Sequence, residues 1–172
     1  MAQTSEFSAP VNRLDVKIQD LKSLIKKMKI VLQRVSRASV AVGGESIASI
    51  SKGLLVLFGA EKNDDGEKVE FLADKTLNLR VFSDAKGKMN LSCLDICGEI
   101  LVVSQFTLAG DCSKGRRPGF DNAAPPDEAR LLYQKFVQQI SRSGLKIATG
   151  KFGADMQVEL INNGPVTFTL ER

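Results

Sequence analysis

An uninterrupted apolar segment between two glycines, residues 53–59 (GLLVLFG), sets the strongest limit on how this chain can fold. Because neighbouring residues of a strand point to opposite faces, a run without polar positions predicts a strand buried on both faces. Residues 99–108 contain a second apolar run, Ile100-Leu101-Val102-Val103, which predicts the strongest strand of the chain. We therefore expect a fold built on a β-sheet.

Further strands are predicted before and after these two segments. Strand-forming residues extend from Ile30 to Val42, and the Gly43-Gly44 pair after them predicts a hairpin to residues 45–50. Shorter strands are expected over residues 80–83, from Met89, over residues 156–161 and over residues 166–170.

Two segments have the periodicity of amphipathic helices. The first follows Asp65, which can cap a helix, and the second covers residues 127–143, between Pro126 and Gly144. Their apolar faces consist of Val69, Leu72, Ala73 and Thr76, and of Ala129, Leu132, Tyr133, Phe136, Val137 and Ile140. Strands outnumber helices, so we expect an α+β fold with a mixed, strongly curved, barrel-like sheet and two main helices.

The composition is that of an ordinary soluble globular chain. Of the 172 residues, 43% are hydrophobic and 26% are charged, and the net charge is +4. No apolar run approaches the roughly 20 residues that a membrane-spanning helix needs, so no membrane association is expected. Cys93, Cys97 and Cys112 have no recognised metal spacing. We expect reduced thiols, a cytoplasmic location, and neither a metal nor a cofactor.

The chain contains no histidine. Its absence excludes Ser-His-Asp and Cys-His catalysis and the H-E-x-x-H zinc site. It also removes the side chain whose ordinary pKa lies nearest neutrality. Any hydrolysis by this chain must therefore use other groups.

The first 27 residues form a separate unit in this interpretation. Val11, Leu14, Ile18, Leu21 and Ile25 are spaced as on one face of an amphipathic helix. We interpret residues 1–27 as an N-terminal extension, either a tag or the result of an upstream start, with a docking helix as the alternative. Residues 28–172 are expected to form the functional domain.

Residues 104–108 (Ser-Gln-Phe-Thr-Leu) place three polar groups at the end of a buried strand. If the strand continues, Ser104 and Phe106 share one face while Gln105 and Thr107 share the other. One interpretation is a strand that leaves the core. The other is a cleft wall whose polar side chains and free backbone N–H groups stabilise a developing oxyanion.

Residues 162–167 (Asn-Asn-Gly-Pro-Val-Thr) also allow two interpretations. Asn163-Gly164 is typical of a tight hairpin turn. Pro165 argues against it, because proline cannot donate the hydrogen bond that a two-residue hairpin needs, and its peptide bond with Gly164 is a candidate cis bond. The alternative is a rigid backbone surface of exposed carbonyls, suited to recognition by exclusion.

A compact basic loop contains Lys114, Arg116 and Arg117. Most such charge clusters are simply solvated surface. The functional alternative is contact with RNA phosphates, which requires only point charges and guanidinium groups.

Taken together, the segments 104–108 and 162–167 resemble the two signatures of the D-aminoacyl-tRNA deacylases, the D-tyrosyl-tRNA(Tyr) deacylase family of the Gly-cisPro type. The resemblance covers residues 28–172 and is supported by residues 33–35, 53–57, 82–84, 88–91, 115–118 and 152–156. It implies a homodimer with active sites at the subunit interface. It also implies hydrolysis of the ester of D-aminoacyl-tRNA, and of glycine mischarged on tRNA.

The resemblance also assigns roles to residues. In the family, the Gly-cisPro unit, here Gly164-Pro165, enters the partner subunit's pocket and excludes L substrates. The expected catalytic residues are Ser104, Gln105, Phe106 and Thr107, the substrate-binding residues are Gly164, Pro165, Thr167 and Met156, and the RNA-binding residues are Lys114, Arg116 and Arg117.

Such chemistry can proceed without histidine, because an aminoacyl ester is already activated. Backbone N–H groups near Phe106 and Thr107 are expected to stabilise the oxyanion, and the ribose 2′-hydroxyl of the tRNA to assist the attacking water. Thr107 as a covalent nucleophile is the alternative mechanism, although its hydroxyl has no evident base. The alternative functions are a non-catalytic tRNA-binding dimer and a small-ester hydrolase indifferent to RNA.

Overall fold

The structure, a computed structural model, describes residues 27–172. The predicted amphipathic helix therefore lies outside the described residues, apart from Lys27. The elements in chain order are β1 (Lys29–Val42), β2 (Glu45–Ile50), β3 (Gly53–Gly59), α1 (Gly66–Asn78), β4 (Phe82–Ser83), β5 (Met89–Leu91), β6 (Glu99–Ser104), a 3₁₀ helix (Phe106–Ala109), α2 (Pro126–Ser141), β7 (Ile147–Thr149) and β8 (Gln157–Glu171).

The long strand β1 organises the main sheet. Its first half pairs with β3 and its second half with β2, while β8 pairs along its opposite edge, all antiparallel. Strand β6 continues the sheet parallel to β3, and β7 is parallel to β6. Because β2 also approaches β6 and β7, the mixed sheet nearly closes into a barrel. The predicted fold class is confirmed, with α1 and α2 as its two helices.

Strand β3 is buried on both faces, as the glycine-flanked run predicts. Leu54, Val56 and Phe58 belong to an outer core that includes the buried faces of both helices. Leu55 belongs to an inner core enclosed by the curved sheet, and Leu57 packs against it. The alternation of neighbouring side chains thus divides one apolar run between two cores.

The helices follow their sequence signals. Asp65 caps α1 by accepting a hydrogen bond from the backbone N–H of Lys68 at 3.0 Å, and Pro126 occupies the first turn of α2. The predicted apolar face of α1 is buried. Phe136 of α2 is fully buried, and its ring lies 5.3 Å from that of Phe58. No helix within residues 27–172 is long and apolar enough to cross a membrane.

Three sequence expectations need correction. The strand expected over residues 99–108 ends at Ser104, because the N–H of Gln105 makes the last bond to Phe58 and the chain then turns into the 3₁₀ helix. Residues 157–171 form one strand, not two, since both parts pair with β1. Strand β7 was not predicted; its three residues are too few to produce a clear pattern.

The burial of Phe136 predicts a large stability effect. We expect Phe136→Ala to lower the free energy of unfolding by about 3–5 kcal/mol, because it leaves a cavity in the outer core. Leu131→Ala on the same helix, at a position 59% exposed, should change it by less than about 1 kcal/mol. Urea denaturation checks both values, and equal losses would contradict the proposed packing.

Candidate active site

A cavity of about 450 Å³ opens at the carboxyl end of β6. One wall consists of Ser104, Gln105 and Phe106, and the opposite wall of residues 152–156. Phe58, Ala60, Val103, Ala124, Pro126, Ala129 and Val158 complete it. Among the described residues of this lining, Asp155 is the one with an ionisable side chain, and the sequence analysis gave it no role.

The parallel pairing of β3 and β6 places this wall. Both strands end at the same edge of the sheet, where Phe58 pairs with Ser104. Gly59 follows at the point where the 3₁₀ helix folds back. A Cβ atom on Gly59 would lie 3.0 Å from the carbonyl oxygen of Gln105 and 2.8 Å from the Cβ of Leu108. Only glycine therefore lets the turn pack this closely.

The turn brings Gln105 and Thr107 into direct contact. The side-chain amide of Gln105 donates a hydrogen bond to the hydroxyl of Thr107 at 2.5 Å. The backbone N–H groups of Phe106 and Thr107 are at the start of the 3₁₀ helix, and neither has an acceptor among residues 27–172. The strand does not continue past Ser104, so the predicted alternation of the side chains of residues 104–108 between two faces is wrong. The predicted free backbone N–H groups are present.

A partly buried ion pair holds the far end of this turn. The ammonium group of Lys29 lies 2.7 Å from a carboxylate oxygen of Glu61, whose side chain is almost completely buried. The same ammonium donates a hydrogen bond to the carbonyl of Leu108 at 3.4 Å. Sequence reasoning missed this pair, because its two members are distant in the chain and neither belongs to a motif.

Tyr133 supports the opposite wall of the cavity, which consists of residues 152–156. Its hydroxyl donates a hydrogen bond to the carbonyl of Val102 at 2.9 Å, and its ring lies 5.7 Å from that of Phe152. Burial raises the pKa of Tyr133 to about 12, so the phenol stays neutral and supports the wall. Met156, expected to bind substrate, lines the cavity, and its sulfur occupies the space beside Gly150.

The Gly164-Pro165 unit lies away from this cavity. Gln33 pairs with Thr167 and Val35 with Asn162, so residues 163–166 protrude from β8 as a wide bulge. The hairpin-turn interpretation is therefore wrong, and the candidate cis peptide bond is confirmed. Neither residue lines the cavity of its own chain, and nor does Thr167.

Arg34 secures the bulge from below. Its Nε donates a hydrogen bond to the carbonyl of Asn163 at 2.8 Å, and its Nη1 donates one to the carbonyl of Val81. The side chain is nearly buried, so these bonds are shielded from water. Thr167, expected to bind substrate, accepts a hydrogen bond from Gln33 at 3.3 Å. Arg34 was not predicted as a functional residue, since a single arginine in a strand gives no distinctive signal.

The basic loop is closed at its base. Two backbone hydrogen bonds of 2.8 Å each join Asp111 and Gly119. Hydrogen bonds from Ser113 hold the pKa of Asp111 below its ordinary value. Lys114, Arg116 and Arg117 are exposed, and none of them forms an ion pair within residues 27–172.

The cysteines lie outside the cavity lining. Cys93 is buried, and burial raises the pKa of its thiol to about 12, which makes it unreactive. Cys97 and Cys112 are exposed. In the described part of the chain, no three His, Cys, Asp or Glu side chains are grouped so that they could hold a metal ion.

Comparisons with known proteins agree on one family. The model of the D-Tyr-tRNA(Tyr) deacylase family matches residues 31–171. A protein of Geotalea uraniireducens named D-aminoacyl-tRNA deacylase is 58% identical over 144 residues, which are 84% of this chain and 93% of that protein.

Two solved structures have the same fold. The c-Myc DNA unwinding element binding protein superposes with a TM-score of 0.80 at 48% identity, over 84% of this chain and 99% of its own. A probable eukaryotic D-amino acid tRNA deacylase superposes with a TM-score of 0.75 at 16% identity, over 85% of this chain and all of its own. With its sequence match and its nearly closed mixed sheet, this chain belongs to the D-Tyr-tRNA(Tyr) deacylase family.

Proposed function

We propose that this protein hydrolyses the ester that joins a D-amino acid to the terminal ribose of tRNA, in the cytoplasm where charged tRNA is used. Its family and its relatives are named for this activity. The observation that carries the proposal is the cavity lined by Ser104, Gln105 and Phe106, with the unpaired backbone N–H groups of Phe106 and of the adjacent Thr107 at the turn that ends this wall. This arrangement suits an ester whose carbonyl oxygen becomes negative during hydrolysis.

The N–H groups of Phe106 and Thr107 form the oxyanion site in this mechanism. Both belong to a turn that Gly59, Lys29 and the bond from Gln105 to Phe58 hold in place. Donors fixed before the reaction need no reorganisation when the charge develops, which makes them more effective than water. Ser104 and Gln105 orient the ester.

The attacking water is positioned mainly by the substrate. Among residues 27–172, the side chains that line the cavity include no imidazole, thiol or amine. The ribose 2′-hydroxyl beside the ester accepts a hydrogen bond from the attacking water. A protein base is therefore unnecessary. Phe106 and Met156 contact the terminal adenosine and the amino acid.

Selection of the D configuration is assigned to Gly164-Pro165 of a second copy of this chain. The bulge protrudes from β8 and does not line its own cavity, which supports a role at the cavity of a neighbouring subunit. On the same strand, Ile161 is 43% exposed and Phe168 is 40% exposed, as expected for a surface that pairs with another copy. The active unit is therefore proposed to be a homodimer with its active sites at the interface.

The backbone carbonyls of the inserted unit occupy the place of an L side chain. A D side chain points away from them, and glycine has no side chain to exclude. Glycine mischarged on tRNA is for this reason included among the substrates. Lys114, Arg116 and Arg117 bind the phosphates of the tRNA.

A non-catalytic nucleic-acid-binding protein is the second candidate. A 48% identical protein with this fold is named for binding a DNA element, and the exposed cations of the basic loop fit either role. It predicts binding that weakens with salt but no hydrolysis.

Deacylation assays separate these functions. Purified protein should release amino acid from D-tyrosyl-tRNA at least 100-fold faster than from L-tyrosyl-tRNA. Replacing the 2′-hydroxyl of the terminal ribose with hydrogen should lower the rate strongly, because the assisting group is lost. Salt-sensitive binding without release of tyrosine would establish the non-catalytic alternative, and indifference to the 2′-deoxy change would indicate a general esterase.

Thr107 should not be a nucleophile. Its hydroxyl accepts a hydrogen bond from the Gln105 amide, which is not a base. We expect Thr107→Ala to retain kcat within about tenfold of the original protein, measured in single-turnover deacylation of D-tyrosyl-tRNA. A trapped acyl-enzyme, or a loss of the size caused by removing a nucleophile, about 10⁴-fold or more, would contradict the water mechanism.

Gly164→Ala should impair selection. Gly164 has a φ of +132°, and a Cβ atom there would lie 2.9 Å from Nη2 of Arg34, so the bulge must move. We expect the preference for D- over L-tyrosyl-tRNA to fall at least tenfold. Gly44→Ala, at a hairpin glycine with φ of +85° and open space around it, is the matched control and should leave the preference unchanged. An unaltered preference in Gly164→Ala would rule out selection by the bulge.

A further inference from the structure

An exposed pair of aromatic rings lies at the mouth of the cavity. Phe106 lines the cavity, yet it is 58% exposed. Its ring centroid lies 5.0 Å from that of Phe120, at an interplanar angle of 54°. Phe120 is 38% exposed and is not part of the cavity lining. The second ring therefore extends the site outward, beyond Phe106.

The chain order connects this pair to the basic loop. Phe120 directly follows Gly119, where two backbone hydrogen bonds to Asp111 close the loop. Lys114, Arg116 and Arg117 therefore belong to a loop whose closed base joins the chain at Phe120. Two carboxylates lie nearby: that of Asp111 accepts a hydrogen bond from the N–H of Ser113, and that of Asp121 is on the residue after Phe120. Three cations against two anions leave the surface positive.

We propose that the ring of Phe120 forms a stacking site for the nucleobase that precedes the terminal adenosine of the tRNA, with the tilted ring of Phe106 against the edge of that base. The loop cations bind the adjoining phosphates. The inference rests on the proposed function, because it requires a terminal nucleoside held in the cavity and a preceding nucleotide that leaves past Phe106. Stacking requires only the face of a base, so this site does not depend on the identity of that base.

A second route out of the cavity leads past Phe152. A groove of about 390 Å³ there contains Arg130, whose guanidinium lies 5.1 Å from the centroid of the Phe152 ring. Arg130 is the only charged side chain in its lining, and the aromatic ring beside it is already covered by the guanidinium. The combination of an open ring and several cations favours the route past Phe120.

Two substrates test the stacking site. D-Tyrosyl-tRNA contains the preceding nucleotide, whereas D-tyrosyl-adenosine, the terminal nucleoside ester alone, does not. We expect Phe120→Leu, which keeps an apolar side chain against the loop, to lower kcat/KM about tenfold for the tRNA and to leave the nucleoside ester unchanged. Phe120→Tyr should restore the tRNA value. Phe71→Leu, at a ring of α1 with the same 38% exposure and outside the cavity lining, is the matched control and should affect neither substrate.

Three outcomes would overturn the inference. The first is an equal loss on both substrates in Phe120→Leu, which indicates a purely structural role. The second is full activity of that variant on the tRNA. The third is a selective loss on the tRNA in Arg130→Ala but not in Phe120→Leu, which assigns the RNA to the other groove.

A binding measurement keeps this result separate from the proposed activity. If the original protein hydrolyses neither ester, the proposed function fails. Stacking is then measured with a single-stranded tetranucleotide that carries 2-aminopurine at its penultimate position. Quenching of the 2-aminopurine by the original protein, reduced in Phe120→Leu, supports the site. Absence of quenching by the original protein rules it out.

Discussion

The parallel pairing of β3 with β6 is the contact on which the rest of this molecule depends. Both strands are apolar on two faces, so the pair can exist only with the helices on one side and the curved remainder of the sheet on the other. The strands run in the same direction and end together, which places Phe58 beside Ser104. The outer core, the inner core and the cavity all meet at this edge.

In the proposed mechanism, backbone groups do much of the chemical work that side chains do in other hydrolases. Two N–H groups at a turn are proposed to stabilise the developing charge, and the carbonyls of a protruding bulge to exclude one configuration of the substrate. Backbone positions can be this reliable only where the chain is held tightly. Lys29 and Gly59 hold the turn, and Arg34 holds the bulge. In a chain without histidine, the proposed chemistry thus depends on the rigidity of the turn and of the bulge.

The sequence predicted the elements whose signals are local and strong. The run 53–59, the cap at Asp65 and the apolar faces of both helices need no information from distant residues, and the structure has them where they were expected. The strand past Ser104 was wrong, because the carbonyl of Phe58, on another strand, decides where pairing ends. The bulge in β8 was mistaken for a break between strands, since only pairing with β1 shows that the strand continues.

The residues of the candidate site fall into two groups, those predicted from local motifs and those that were missed. Ser104, Gln105, Phe106 and Met156 meet in one cavity, as their motifs suggested. The supporting residues Lys29, Glu61 and Arg34 were missed, because a positioning side chain is defined by its partners and not by its neighbours in the chain.

The double hydrogen bond of Arg34 has a consequence for how this protein tolerates change. One of its bonds reaches the bulge, and the other reaches the carbonyl of Val81, a residue of the outer core. A substitution that repacks the helices against the sheet can therefore displace the bulge without touching the cavity. With the bulge as the proposed selector, stereochemical selection and stability are coupled through one side chain, so variants selected only for tighter packing are expected to lose selectivity for the D configuration.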